Sequence, residues 1–115
     1  MEIQVGDKKL RKVIEDEATA KKQYGVPMSK LISRRIASLS AAESLAVFWP
    51  PKSGPERCHE LKGESVGKFT VDLVQPDRLV FEPVGETPQK DRSNEQERWR
   101  KIKKINLLSI EDTHE

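Results

Sequence analysis

The sequence predicts an α+β domain in which a helical hairpin packs on a mainly antiparallel sheet. Three observations lead there. Apolar residues recur at threes and fours between Met28 and Leu39, and they alternate singly from Lys68 to Val74 and again from Arg78 to Glu82. The chain has 115 residues, 35% of them apolar, which suits one small hydrophobic core and a single domain spanning residues 1–115.

Met1, Ile3 and Val5 alternate with Glu2 and Gln4, so a short half-buried strand opens the chain and Gly6 ends it. Asp7 then caps a helix carrying Leu10, Val13, Ile14 and Tyr24 on one broad side. Gly25 and Pro27 punctuate the chain before a second helix with Met28, Leu31, Ile32, Ile36 and Leu39, flanked by Lys30, Arg34 and Arg35. Ser40 and Glu43 have capping-box spacing ahead of Leu45, Val47 and Phe48, and Pro50 and Pro51 stop any helix there. Phe69, Val71 and Leu73 lie on one side of a strand, with Thr70 and Asp72 on the other. A Gln75-Pro76-Asp77 turn returns it as the second strand of a hairpin. Residues 84–97, rich in charge and carrying Gly85, Pro88 and Asn94, read as an exposed loop, and a last strand runs near Ile105–Ile110.

Composition narrows the function classes. Mean hydropathy is −0.71, and no apolar run approaches the roughly 18 residues of a membrane helix, so a soluble cytoplasmic protein without membrane partners is expected. The start of the chain carries Glu2, Asp7, Lys8 and Lys9 rather than an apolar signal core. One cysteine, Cys58, and two histidines are too few for an internal disulfide or the usual closed zinc site; no metal or cofactor is expected. Net charge is only +2, but Arg98-Trp99-Arg100-Lys101-Ile102-Lys103-Lys104 holds five cations around an indole. Such a run suits either a nucleic-acid surface or a solvated basic stretch.

The sequence lacks a phosphate-binding glycine loop, a GxSxG elbow and an HExxH pair. What remains are cationic or proton-transferring residues around the hairpin: Arg57, His59 and Lys62 before it, Lys68 and Arg78 within it, and His114 near the end. Neighbouring strands lie about 4.8 Å apart, so such residues can meet on one side of a sheet.

These residues also resemble a known family. Arg57-Cys58-His59-Glu60-Leu61-Lys62-Gly63, Gly67-Lys68-Phe69 and Asp77-Arg78-Leu79-Val80-Phe81-Glu82 are similar to the RxHxLKG, GxW and RLxF core of HigB-like killer toxins in the RelE/ParE superfamily. Ile110-Glu111-Asp112-Thr113-His114 stands where that family has its terminal Asp-Tyr-His. Thr113 replaces the tyrosine, which removes a ring that could stack on a base, and Phe69 replaces the tryptophan.

The resemblance implies a compact RelE-like RNase fold and a toxin that cuts messenger RNA on the ribosome. It also implies restraint by a helix-turn-helix antitoxin, with operator DNA reached only through the antitoxin complex. Metal-free RNA cleavage uses the ribose 2′-hydroxyl as nucleophile. The protein must accept its proton, protonate the leaving 5′-oxygen and stabilise a phosphorane. In that scheme Arg78 holds the scissile phosphate, Arg57 is a second clamp, Lys62 stabilises charge or moves a proton, and His114 is general acid or base. His59, Lys68, Arg34, Arg35, Arg98, Arg100 and Lys101 are the expected RNA contacts.

Plainer uses exist for the same residues. Arg78 can pair with Asp72 or Asp77, Lys62 can be a turn residue, His59 can bond the backbone, and His114 can be frayed. The rival functions are a non-catalytic protein on the same fold, either a gyrase-poisoning relative or a decayed toxin, and an operon-repressing DNA binder. The last is disfavoured by the lack of a helix-turn-helix in this chain. The 84–97 loop is expected either to gate the site or to bind the antitoxin.

Overall fold

A computed structural model describes residues 1–85 and 94–113. In chain order they form β1 (Glu2–Val5), α1 (Lys8–Glu15), α2 (Glu17–Tyr24), α3 (Val26–Ala41), β2 (His59–Glu60), β3 (Phe69–Asp72), β4 (Asp77–Pro83), α4 (Glu95–Arg100) and β5 (Lys104–Asp112). The sheet runs β1-β5-β4-β3-β2. β1 is parallel to β5, and the other three pairings are antiparallel. The expected α+β class, a helical hairpin on a mainly antiparallel sheet, is therefore the observed one.

The segment expected as one helix after Asp7 is two. Asp7 caps α1 by accepting from Leu10 N at 2.9 Å. Asp16 then breaks the run, because its backbone is extended and its carboxylate accepts from the Thr19 hydroxyl at 2.7 Å and from Ala18 N at 3.1 Å. Those two bonds, the hydroxyl first, hold the Asp16 carboxyl below its ordinary value. An aspartate that offers the backbone such local acceptors ends one helix and begins the next. Gly25, at φ 88°, makes the turn into α3, whose first turn contains Pro27. The stripe of α3 that reaches the core is Met28, Ile32, Arg35 and Leu39. A short 3₁₀ turn over Leu45–Phe48 comes next, capped by Ser44 rather than by Ser40.

Sheet alternation sorts the strands. Phe69, Val71, Leu73, Leu79, Phe81, Ile105 and Leu107 join Leu10, Val13, Ile32 and Leu39 in the core. Phe69 and Phe81 stack at 6.0 Å, and Trp99 meets Phe69 edge-on at 5.5 Å and Trp49 at 5.1 Å. Trp99 is only 1% exposed, so the indole in the basic run is a core side chain. Its burial also shortens the expected 84–97 loop. Residues 86–93 of that loop lie outside the described residues, but Asn94 caps α4 by accepting from Glu97 N, and Trp99 and Ile102 anchor the helix and the turn after it in the core. No helix among the described residues is long and apolar enough to cross a membrane.

Cys58 sits in the core with no exposed surface, and burial, followed by the nearby Glu56 charge, pushes its thiol far above the ordinary value. We expect a thiol reagent to leave Cys58 unmodified in the native protein and to label it at once in denaturant. Fast labelling without denaturant would contradict that burial.

Candidate functional site

The other side of the sheet is polar. By register, His59 lies beside Thr70, and Thr70 and Asp72 face Val80 and Arg78, which in turn face Ser109 and Glu111; Arg57, two residues before His59, reaches Asp72 through its side chain. These residues alternate with the core-facing set, and the pattern survives the register shift between Val80 and Phe81. Although polar, this side is closely covered: Thr70 is 0% exposed, His59 5% and Asp72 7%.

Asp72 is its centre. Its carboxylate lies 3.3 Å from Arg78 Nε and 3.4 Å from Arg57 Nε. The Arg78 contact is electrostatic rather than an aligned hydrogen bond, since both atoms lack a hydrogen-bonding partner. Arg78 also donates through Nη1 to the Thr113 hydroxyl at 2.7 Å. Beneath the carboxylate, the Asp72 carbonyl accepts from Arg35 Nε at 2.7 Å, and Arg35 Nη2 reaches the Pro55 carbonyl at 3.1 Å. Arg57 is held at φ 47°, a left-handed conformation uncommon for a side chain other than glycine. The arrangement brings two guanidiniums to one carboxylate, and a carboxylate presents to a guanidinium the same oxygen fork as a phosphate.

His59 donates through Nδ1 to the Arg57 carbonyl at 2.9 Å, because a carbonyl can only accept. Its Nε2 is buried without a partner, as is the Thr70 hydroxyl beside it. Lys62 is exposed at the turn into Gly63, which has φ 65°. It lines a cavity at the β2 edge together with His59. Lys68 is exposed immediately before β3, where its carbonyl accepts from Leu61 N.

The structure thus joins Arg57, Arg78 and His59 on one side of the sheet and puts Lys62 in contact with the same cavity as His59. His114 lies outside the described residues, one position beyond the Thr113 that holds Arg78. Arg34, Arg100 and Lys101 are exposed, Arg100 in an ion pair with Glu97.

Two expected RNA contacts are corrected. Arg35 is 8% exposed and engaged with two backbone carbonyls. Arg98 is 4% exposed, bonded to Glu60, 3.4 Å from Glu95 and 5.6 Å above the Phe69 ring. Both hold the fold together. Arg78 does pair with Asp72, the plainer use expected for it, and Asp72 sits opposite Arg78 across the short hairpin. The Thr113 bond to Arg78 and the sharing of Asp72 with Arg57 are what sequence reasoning did not place in the site.

In structure the chain is similar to a YoeB/ParE toxin from Agrobacterium tumefaciens, with a TM-score of 0.57 over 97% of this chain and 98% of that one. They share a fold. Sequence identity between this chain and that toxin is 12%. No family profile matches the chain, and no curated protein matches it by sequence. The likeness is one of α+β architecture, while the RelE/ParE and HigB resemblance rests on the sequence motifs alone.

Proposed function

We propose that the protein is the toxin of a type II toxin–antitoxin pair, an endoribonuclease that cuts messenger RNA on the ribosome by 2′-hydroxyl attack and is restrained by a helix-turn-helix antitoxin. The observation that carries this reading is the pair Arg57 and Arg78 meeting at the Asp72 carboxylate. The overall likeness to a toxin agrees with it.

Arg78, braced by Thr113, binds the scissile phosphate and takes up the charge that grows in the phosphorane. Arg57 is the second clamp, with the phosphate displacing Asp72 from the two forks. With Nδ1–H on the Arg57 carbonyl, His59 has Nε2 as its other ring nitrogen and orients beside the RNA, and Lys62 and His114 serve as charge stabiliser and proton carrier. Exposed Arg34, Lys68, Arg100 and Lys101 contact the RNA backbone through charge.

A specific observation also favours a second reading. With Asp72 between them, the two guanidiniums are already neutralised in part, as in a protein on this fold that binds without cutting. Induced expression followed by mapping of messenger ends decides between the two. The nuclease gives cuts at set positions within ribosome-bound codons. Growth arrest with intact messenger and broken DNA would replace it with gyrase poisoning, and normal growth would leave a silent binder.

A further inference from the structure

Arg57 is not placed by strand pairing. The β2–β3 ladder ends at His59 and Thr70, and the left-handed backbone of Arg57 turns the chain out of strand geometry. Residues 52–58 form a loop closed on itself, with Lys52 N donating to the Cys58 carbonyl at 3.0 Å and Arg57 N to the Ser53 carbonyl at 3.2 Å. The position of Arg57 relative to Asp72 therefore depends on how this loop is tied to the end of β3.

The first tie is a backbone bond, from Asp72 N to the Glu56 carbonyl at 2.8 Å. One hydrogen bond fixes a distance and leaves a hinge. The second tie comes from α3 and removes the hinge: Arg35 donates through Nε to the Asp72 carbonyl at 2.7 Å and through Nη2 to the Pro55 carbonyl at 3.1 Å. A planar guanidinium holds its donors at fixed angles, so one side chain sets the separation of the two segments. One segment carries Asp72, and the other carries Arg57 two residues beyond Pro55.

Burial divides the work between the two arginines. Arg35 is closed in, whereas half of the Arg57 side chain is exposed to a ligand. Placing a cation on the buried stripe costs desolvation, and Met28, Ile32 and Leu39 fill the other positions of that stripe with apolar groups. We infer that Arg35 is a positioning residue for the phosphate site. It does not touch RNA; it holds Arg57 at the distance from Asp72 and Arg78 at which both exposed forks close on one phosphate. The inference rests on the proposed role of Arg57 as a clamp and not on cleavage.

The probe is a single-stranded 2′-O-methyl oligoribonucleotide, which lacks the attacking hydroxyl and so is not consumed. Its affinity is measured without ribosomes over a range of salt for the wild type, Arg35→Lys, Arg57→Ala and the double variant, with a thermal melt of each. Lysine keeps the charge but not the fork. Arg35→Lys is expected to weaken binding several-fold and to lower the salt slope by roughly 0.7, the share of one phosphate contact on a single strand, although no exposed cation has been removed. A residue serving stability alone would leave the slope of the folded protein unchanged. In the Arg57→Ala background the same change is expected to do nothing further, because the group it positions is gone. Should the lysine variant not fold, Arg35→Gln takes its place, since an amide still donates to one carbonyl and carries no buried charge. Additive losses in the double variant, wild-type binding by a folded Arg35 variant, or failure of both Arg35 variants to fold overturns the inference alone. Wild-type binding by Arg57→Ala, or no binding of the probe by the wild type at low salt, removes the clamp of the proposed function and this inference with it. A protein that passes the binding cycle but leaves messenger whole would lose the nuclease reading and keep the role of Arg35.

Discussion

Arg78→Lys is expected to lower messenger cleavage by about 10²-fold or more while leaving the protein folded. Lysine keeps the positive charge beside Asp72, so the buried carboxylate is not abandoned. It cannot keep the planar fork that grips two phosphate oxygens and at the same time donates to Thr113. The loss therefore falls on the transition state, where charge on the phosphate is greatest, more than on stability. Mapping cut ends for the wild type and the variant at matched expression, with a thermal melt of each, separates the two effects. An Arg78→Lys protein that cuts as fast as the wild type would take Arg78 away from the phosphate. A variant that still arrests growth while messenger stays whole in both proteins would favour the non-catalytic reading.

The layers of the fold were legible because core burial imposes period. The single alternation of residues 69–73 and 78–82 placed the central hairpin, and the α3 stripe placed the helix that packs behind it. What escaped was local competition. Asp16 has no apolar signature, yet its two side-chain bonds divide one expected helix into two. Residues 94–97 looked like loop because the signal for α4 lies further along, in Trp99 and Ile102, whose neighbours are all cations.

The site was legible as an inventory but not as a geometry. Hairpin spacing anticipates the pairing of Arg78 with Asp72, whereas the sharing of that carboxylate with Arg57 is seen only once the segment before β2 lies beside the end of β3. Charge was the misleading guide. Met28, Ile32, Arg35 and Leu39 follow a heptad-like spacing, so Arg35 stood on the buried stripe all along, and reading it by charge rather than by position sent it outward. The same error attached Arg98 to the basic run.

Arg98→Ala is accordingly expected to destabilise the protein by about 3–5 kcal/mol, since it removes a buried guanidinium from its ion pairs with the half-buried Glu60 carboxylate and with Glu95. For a domain of this size that is a fall in melting temperature of roughly 10–20 °C. Part of the loss is packing, because the guanidinium also covers the Phe69 ring. The paired change Arg98→Met with Glu60→Gln should recover much of it. Methionine refills the volume, and glutamine keeps an acceptor for the Gly67 N–H that Glu60 now receives at 2.8 Å. Lys101→Ala, on the exposed side of the same run, should stay within about 0.5 kcal/mol of the wild type. Were Arg98→Ala to melt like the wild type and instead weaken RNA binding with a shallower salt dependence, the cation would belong to the RNA surface and the ion pair to Glu60 would be dispensable.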